Sequence, residues 1–124
     1  MSKIRNFRKY NVWIKGMELV QNVYDLIDDL PQEEKYGLKS QMSRCSVSIP
    51  ANVAEGCGRG SDKEFSRFLK IALGSSYELE TLMLISKNRQ MISKEVGNTT
   101  LEMISSVQKQ LASLIGKIDA VLKK

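Results

Sequence analysis

Cys45 and Cys57 are the only thiols of the chain, and no histidine occurs among its 124 residues. The lack of histidine removes the commonest general base, the usual proton shuttle and a favoured zinc ligand. A thiolate nucleophile would need an activating partner, and two cysteines alone do not make a zinc site. What remains is carboxylate chemistry. Arg44, Ser48, Asn52 and Glu55 recur at helical spacing, so they line one face of a helix, and Arg67, Gly74 and Glu78 share a face of another. Bundle proteins hold paired metals with carboxylates on facing helices, but that class also needs Glu-x-x-His pairs. The pattern is therefore read as a structural polar network of Arg44, Ser48, Asn52, Glu55 and Glu78. In it, Asn52 and Glu55 bond to the backbone around Pro50 or to Arg44 or Arg67, which fixes helix register. No catalytic residue, metal or cofactor is expected, and the chain is read as non-enzymatic.

Charge offers a different chemistry, the binding of anions. The 19 Lys and Arg against 14 acids leave a formal charge of +5. Lys3, Arg5, Arg8 and Lys9 cluster with no acid among them, while Asp25, Asp28, Asp29, Glu33 and Glu34 form an acidic patch. A molecule with opposite poles attracts polyanions or pairs with its own copies. Gly56-Cys57-Gly58-Arg59-Gly60 has the look of a phosphate loop, yet it follows a helical pattern rather than a strand and lacks the P-loop Lys-Ser/Thr. It reads more simply as a helix–helix connection, with Arg59, Lys63 and a helix start making an anion-friendly spot.

Four helices must position these groups. Trp13, Met17, Val20, Tyr24 and Ile27 form an amphipathic seam, with Leu19, Val23, Leu26 and Leu30 beside it. Two apolar rows are more than a lone bundle usually hides, so the surplus row either is buried in the core or faces another subunit. Pro31 ends the first helix. The second is expected from Pro31 or Gln32 to about Glu55, kinked at Pro50 (a clean break there being the alternative) and terminated by Gly56. Its inward face is Leu38, Met42, Cys45 and Ile49. Ser61-Asp62-Lys63-Glu64 is a capping box that opens the third helix, with Phe65, Leu69, Ala72, Ser76, Leu79 and Met83 inward. Gly74 in its middle implies a closely approaching backbone. The last helix starts either at Ser93 or at the Thr99-Thr100-Leu101-Glu102 capping box, with Leu101, Ile104, Leu111, Ile115, Ile118 and Leu122 inward. Short connections make this an all-α, antiparallel up-down-up-down four-helix bundle, one domain over 1–124 with a basic, partly flexible segment at 1–10. No apolar run approaches the roughly 20 residues of a membrane span, and a cytoplasmic setting with free thiols is expected.

The pattern Arg44, Ser48-Ile49-Pro50, Asn52, Glu55-Gly56, Phe65, Arg67-Phe68-Leu69, Ala72, Gly74-Ser75 and Glu78-Leu79-Glu80 resembles the family of 23S rRNA intervening-sequence proteins. The resemblance covers nearly the whole chain from Val12-Trp13 and implies a four-helix bundle in a ring-like homo-oligomer, a pentamer. It names a fold and a genomic setting rather than a reaction. An accessory protein of diversity-generating retroelements is similar in fold and works beside a reverse transcriptase. The expected function is a homo-oligomeric, nucleic-acid-associated bundle whose Lys3, Arg5, Arg8, Lys9, Arg59, Lys63, Arg67 and Lys70 neutralise RNA or DNA phosphates. The alternative is a scaffold that recruits a partner protein, such as a nucleic-acid enzyme.

Overall fold

The computed structural model describes residues 3–124; Met1 and Ser2 of the basic segment lie outside the described residues. Four α-helices follow one another: α1 (Asn11–Ile27), α2 (Leu38–Cys57), α3 (Asp62–Asn88) and α4 (Lys94–Leu122). Each packs on its neighbours in sequence, and α1 also packs on α4, while the backbones of the diagonal pairs stay apart. The result is an antiparallel up-down-up-down bundle with no strand among the described residues. Its core runs from Val12 and Leu19 through Met42, Ile49, Phe65, Leu79 and Met83 to Ile104 and Leu111. None of these helices is long and apolar enough to cross a membrane.

On α1 the buried row is Leu19, Val23 and Leu26, continued by Leu30 beyond the helix end, while Met17 and Tyr24 of the other row are exposed. The surplus row is thus the one containing Trp13, and it borders an apolar groove against Val47, Pro50 and Ala54 of α2. α2 runs unbroken through Pro50, whose buried ring sits where a Cβ on Gly16 of α1 would lie 3.4 Å from it. α1 thus packs by a glycine against the residue that weakens α2, since Pro50 leaves the Ser46 carbonyl without its helical donor.

Both ends of α2 differ from expectation, and α4 takes the first of its two expected starts. α2 begins at Leu38, not at Pro31 or Gln32, because Gln32–Glu34 closes only a 3-10 turn and Gly37 leaves helical geometry (φ −102°, ψ −107°). Glu34 then accepts from the Leu38 amide at 3.2 Å, capping a helix one turn downstream. At the other end α2 continues to Cys57, and Gly56 lies within it, so Gly56 is not the terminator. The turn that follows uses Gly60, whose φ of 82° suits glycine. α4 starts from the Ser93 cap, whose hydroxyl accepts from Val96 N–H at 3.2 Å. The rival box is not used, because Thr99 and Glu102 lie inside α4; Thr100 beside them is fully buried and donates to Asn22 of α1 at 2.6 Å. Ser61 does cap α3, accepting from Glu64 N–H, but the Glu64 carboxylate turns away to Arg67, leaving half a capping box.

Candidate functional site

The basic N-terminal segment lies as a strap across the end of the bundle where α2 passes into α3. Lys3 N–H donates to Gly60 C=O at 3.1 Å and Arg5 N–H to Cys57 C=O at 2.9 Å, so backbone bonds lay it along the loop. Asn6 caps a 3-10 turn at Phe7–Lys9, and the Phe7 ring meets Trp13 edge-on at 5.0 Å. Tyr10 and the Arg5 guanidinium both pack on Phe65, at 5.6 and 4.3 Å. In its described part the segment meets the bundle through backbone hydrogen bonds and three aromatic contacts.

All eight cations assigned from the sequence to anion binding fall at or near this end, but most already have an acid. Asp62 accepts from both Lys3 (2.8 Å) and Arg5, and only 11% of its side chain is exposed. Arg59 pairs with Glu55 at 2.8 Å and Arg67 with Glu64 at 2.8 Å, both guanidinium groups packing on the Phe68 ring. Lys70 reaches Asp119 of α4 at 3.1 Å. Among the described residues only Arg8, Lys9 and Lys63 of the eight have no carboxylate partner. Proton affinities follow these pairs. The Lys3 and Arg5 hydrogen bonds hold the Asp62 carboxyl below its ordinary range, Arg67 does the same for Glu64, and Ser66 with Lys70 does so for Asp119. The glycine loop forms no phosphate cradle from its Gly58 and Arg59 amides, which close the last turn of α2 on Glu55 and Gly56 carbonyls.

The expected polar network contracts. Ser48 and Ser75 share a hydrogen bond of 2.8 Å between α2 and α3, and the Asn52 amide donates to the Ser48 carbonyl and hydroxyl at 2.7 and 2.8 Å. Glu55 instead bonds Arg59 one turn on, and Arg44 and Glu78 stand exposed and without an ion pair among the described residues. The reason is register: Ser75 sits opposite Ser48, which leaves the longer side chains on the rim, where water solvates them more cheaply than a partner would. Ser75, and Asp62 as the double acceptor, were not legible as contacts from sequence.

The sequence profile of the 23S rRNA-intervening sequence protein family matches residues 8–113. The chain belongs to this family. A crystal structure of a protein of unknown function from the S23 ribosomal protein family of Bacteroides thetaiotaomicron is similar, with a TM-score of 0.78 and 27% identity. The alignment covers 84% of this chain and 97% of that one. No curated protein matches the chain. In this intervening-sequence protein, Lys3 and Arg5, which tie the strap to Asp62, precede the matched span.

The two thiols of this intervening-sequence protein are free and buried. Burial, aided by the Glu78 charge, pushes Cys45 up to about 12, and burial also raises Cys57 against the opposing Arg5 charge. Burial therefore favours the thiol form of both near neutral pH, the weaker nucleophile of the two forms. Iodoacetamide at pH 8 is expected to leave both unmodified in the native protein and to alkylate both in urea, as read by intact mass. Rapid native labelling of either thiol would contradict this burial.

Proposed function

We propose that this protein is a non-enzymatic, self-associating bundle that carries nucleic acid on its basic end. The observation that supports this reading is the segregation of charge along the bundle axis. The strap end collects the eight candidate cations together with Lys117, Lys123 and Lys124, against only Glu55, Asp62, Glu64 and Asp119. The acidic patch of Asp25, Asp28, Asp29, Glu33 and Glu34 sits at the opposite end, around the α1–α2 turn, where Lys35, Lys39, Lys87, Arg89 and Lys94 nearly balance it and Glu95, so a basic end faces a near-neutral one. Such a field draws polyanions to one pole, and each further copy multiplies the effect. A labelled 20-mer oligonucleotide followed by fluorescence anisotropy tests it. Three or more phosphate contacts predict log–log salt slopes of about −2 or steeper. Absence of binding at 50 mM salt, or a flat salt dependence, removes nucleic acid from the reading.

Self-association is supported by Gly74. A glycine in mid-helix costs about 1 kcal/mol against alanine. Among the described residues nothing repays that cost, since no atom lies within 4 Å of where its Cβ would be. The close backbone approach expected there is absent within the chain, and we assign it to a second copy. Ile71, one turn before Gly74, is 40% exposed, and the unpaired Arg44 and Glu78 supply opposite charges for a like surface to complement. Wild-type protein should sediment as an oligomer at micromolar concentration, and Gly74→Arg as a monomer with unchanged helical circular dichroism. A wild-type monomer sinks the proposal.

A protein scaffold is the second reading, favoured by the apolar groove of about 390 Å³ lined by Trp13, Met17, Tyr24, Val47 and Pro50. A partner protein that is retained on this chain after nuclease treatment would favour it.

A further inference from the structure

We infer that the trough between the start of α1 and the second half of α4 is a track for single-stranded nucleic acid, gripped by Lys109 and Lys117. This rests on the nucleic-acid reading above and moves its main contact away from the cations read from sequence. The trough has a volume of about 390 Å³, with Tyr10 and Asn11 on one wall and Lys109, Ser113 and Lys117 on the other. It adjoins a second hollow of about 350 Å³ bounded by Arg5, Asn6 and Lys9, and Tyr10 belongs to both.

Three properties set this surface apart from the strap end. First, its cations are available: Lys9, Lys109 and Lys117 have no ion pair among the described residues, whereas Arg59, Arg67 and Lys70 are neutralised by the protein's own acids. Secondly, no acid lines either hollow, and the first turn of α1 contains none. The run stops at Glu102, which shares the next hollow with Lys109. Thirdly, Lys109, Ser113 and Lys117 occupy successive i+4 positions, so the two ammonium groups stand about 12 Å apart along the helix axis, with a hydroxyl between them. Phosphate groups of a strand laid along α4 meet a cation, a hydroxyl and a cation in order. Asn11 donates to Gln110 at 3.0 Å across the trough, and the partly exposed Tyr10, whose ring packs on Phe65, borders it beside the bases. A trough this small admits a single strand rather than a duplex, and its polar and aromatic walls favour nucleotides over an acidic polypeptide.

The test uses the full chain and a fluorescein-labelled 20-mer of deoxythymidine at 0.1 M salt. Each lost single-strand contact flattens the salt slope by about 0.7, so the Lys109→Gln/Lys117→Gln protein should bind about 25-fold more weakly with a slope about 1.4 shallower. Lys35→Gln/Lys39→Gln, with the same change in net charge, should bind as the wild type does. Equal losses in both doubles, an unchanged Lys109→Gln/Lys117→Gln protein, or displacement by poly-glutamate at the same charge concentration would each overturn the track while leaving nucleic-acid binding in place. A wild-type protein that binds no oligonucleotide overturns the underlying reading itself.

Discussion

Alanine at Gly56 lowers the unfolding midpoint by about 8 °C, the result expected when a destabilisation of about 2 kcal/mol meets the unfolding entropy of a chain this size. The cause is steric and local. A Cβ at Gly56 would lie 2.8 Å from Phe68 Cβ, 3.1 Å from the Phe65 ring and 3.4 Å from the Phe65 carbonyl oxygen. Two of these neighbours cannot rotate away: Phe68 Cβ moves only with its backbone, and the Phe65 carbonyl belongs to the first turns of α3. Helices α2 and α3 must therefore separate where they pack most intimately, and Phe65 carries the Tyr10 and Arg5 contacts of the strap with it. Gly58→Ala is the matched comparison. Its Cβ would meet only the Glu55 carbonyl, at 3.6 Å, with an ordinary φ of −87°. Urea or thermal unfolding should place that variant within about 2 °C of the wild type. Equal midpoints for the two variants would mean that the close approach at Gly56 is not a constraint.

Asp62→Asn should strengthen oligonucleotide binding by about 25-fold at 0.1 M salt and steepen the salt slope by about 1.4. The aspartate sequesters Lys3 and Arg5, and removing its charge returns two cations to the basic end. The direction is opposite to that of an ordinary surface change, which makes it diagnostic. Asparagine keeps the size of the side chain and can still accept from the strap, so the backbone bonds to Gly60 and Cys57 should persist. Trp13 fluorescence reports their loss, because Phe7 of the strap packs on that ring. Affinity unchanged or weakened in a folded Asp62→Asn protein would show that Lys3 and Arg5 contribute nothing to the binding field. Acid acts on the same pair with a defined sign. The Asp62 pKa is lower in the folded than in the unfolded chain, so its stabilising contribution is present above the ordinary carboxylate range. It disappears only as pH falls through the depressed folded value, leaving the strap ion-paired throughout the neutral range.

Helix number, order and most inward faces were readable from sequence, because a 3.6-residue period and capping hydroxyls are local features. Phe65, Leu69, Ala72, Ser76, Leu79 and Met83 are all buried as their spacing indicated, and Ser61 caps α3 as its type indicated. The family signature lies in the same α2–α3 stretch, which is why membership was legible before any coordinates. The rest depended on what each residue meets across the bundle. Gly56 and Gly74 exchanged the roles inferred for them: the apparent helix terminator is the crowded contact, and the apparent close contact is open. A glycine signals that a side chain would cost something, but only the neighbour's position says whether the cost is steric. Charge behaves in the same way. Lys3 and Lys109 both lack an acid within six residues of sequence. A carboxylate fifty-nine residues away in the chain neutralises the first, and nothing pairs with the second among the described residues. Composition and period determined that this chain makes four amphipathic helices with its basic residues concentrated at one end. Tertiary packing alone decided which cations stay free, because an ion pair depends on distance in space, and sequence separation carries almost no information about that distance.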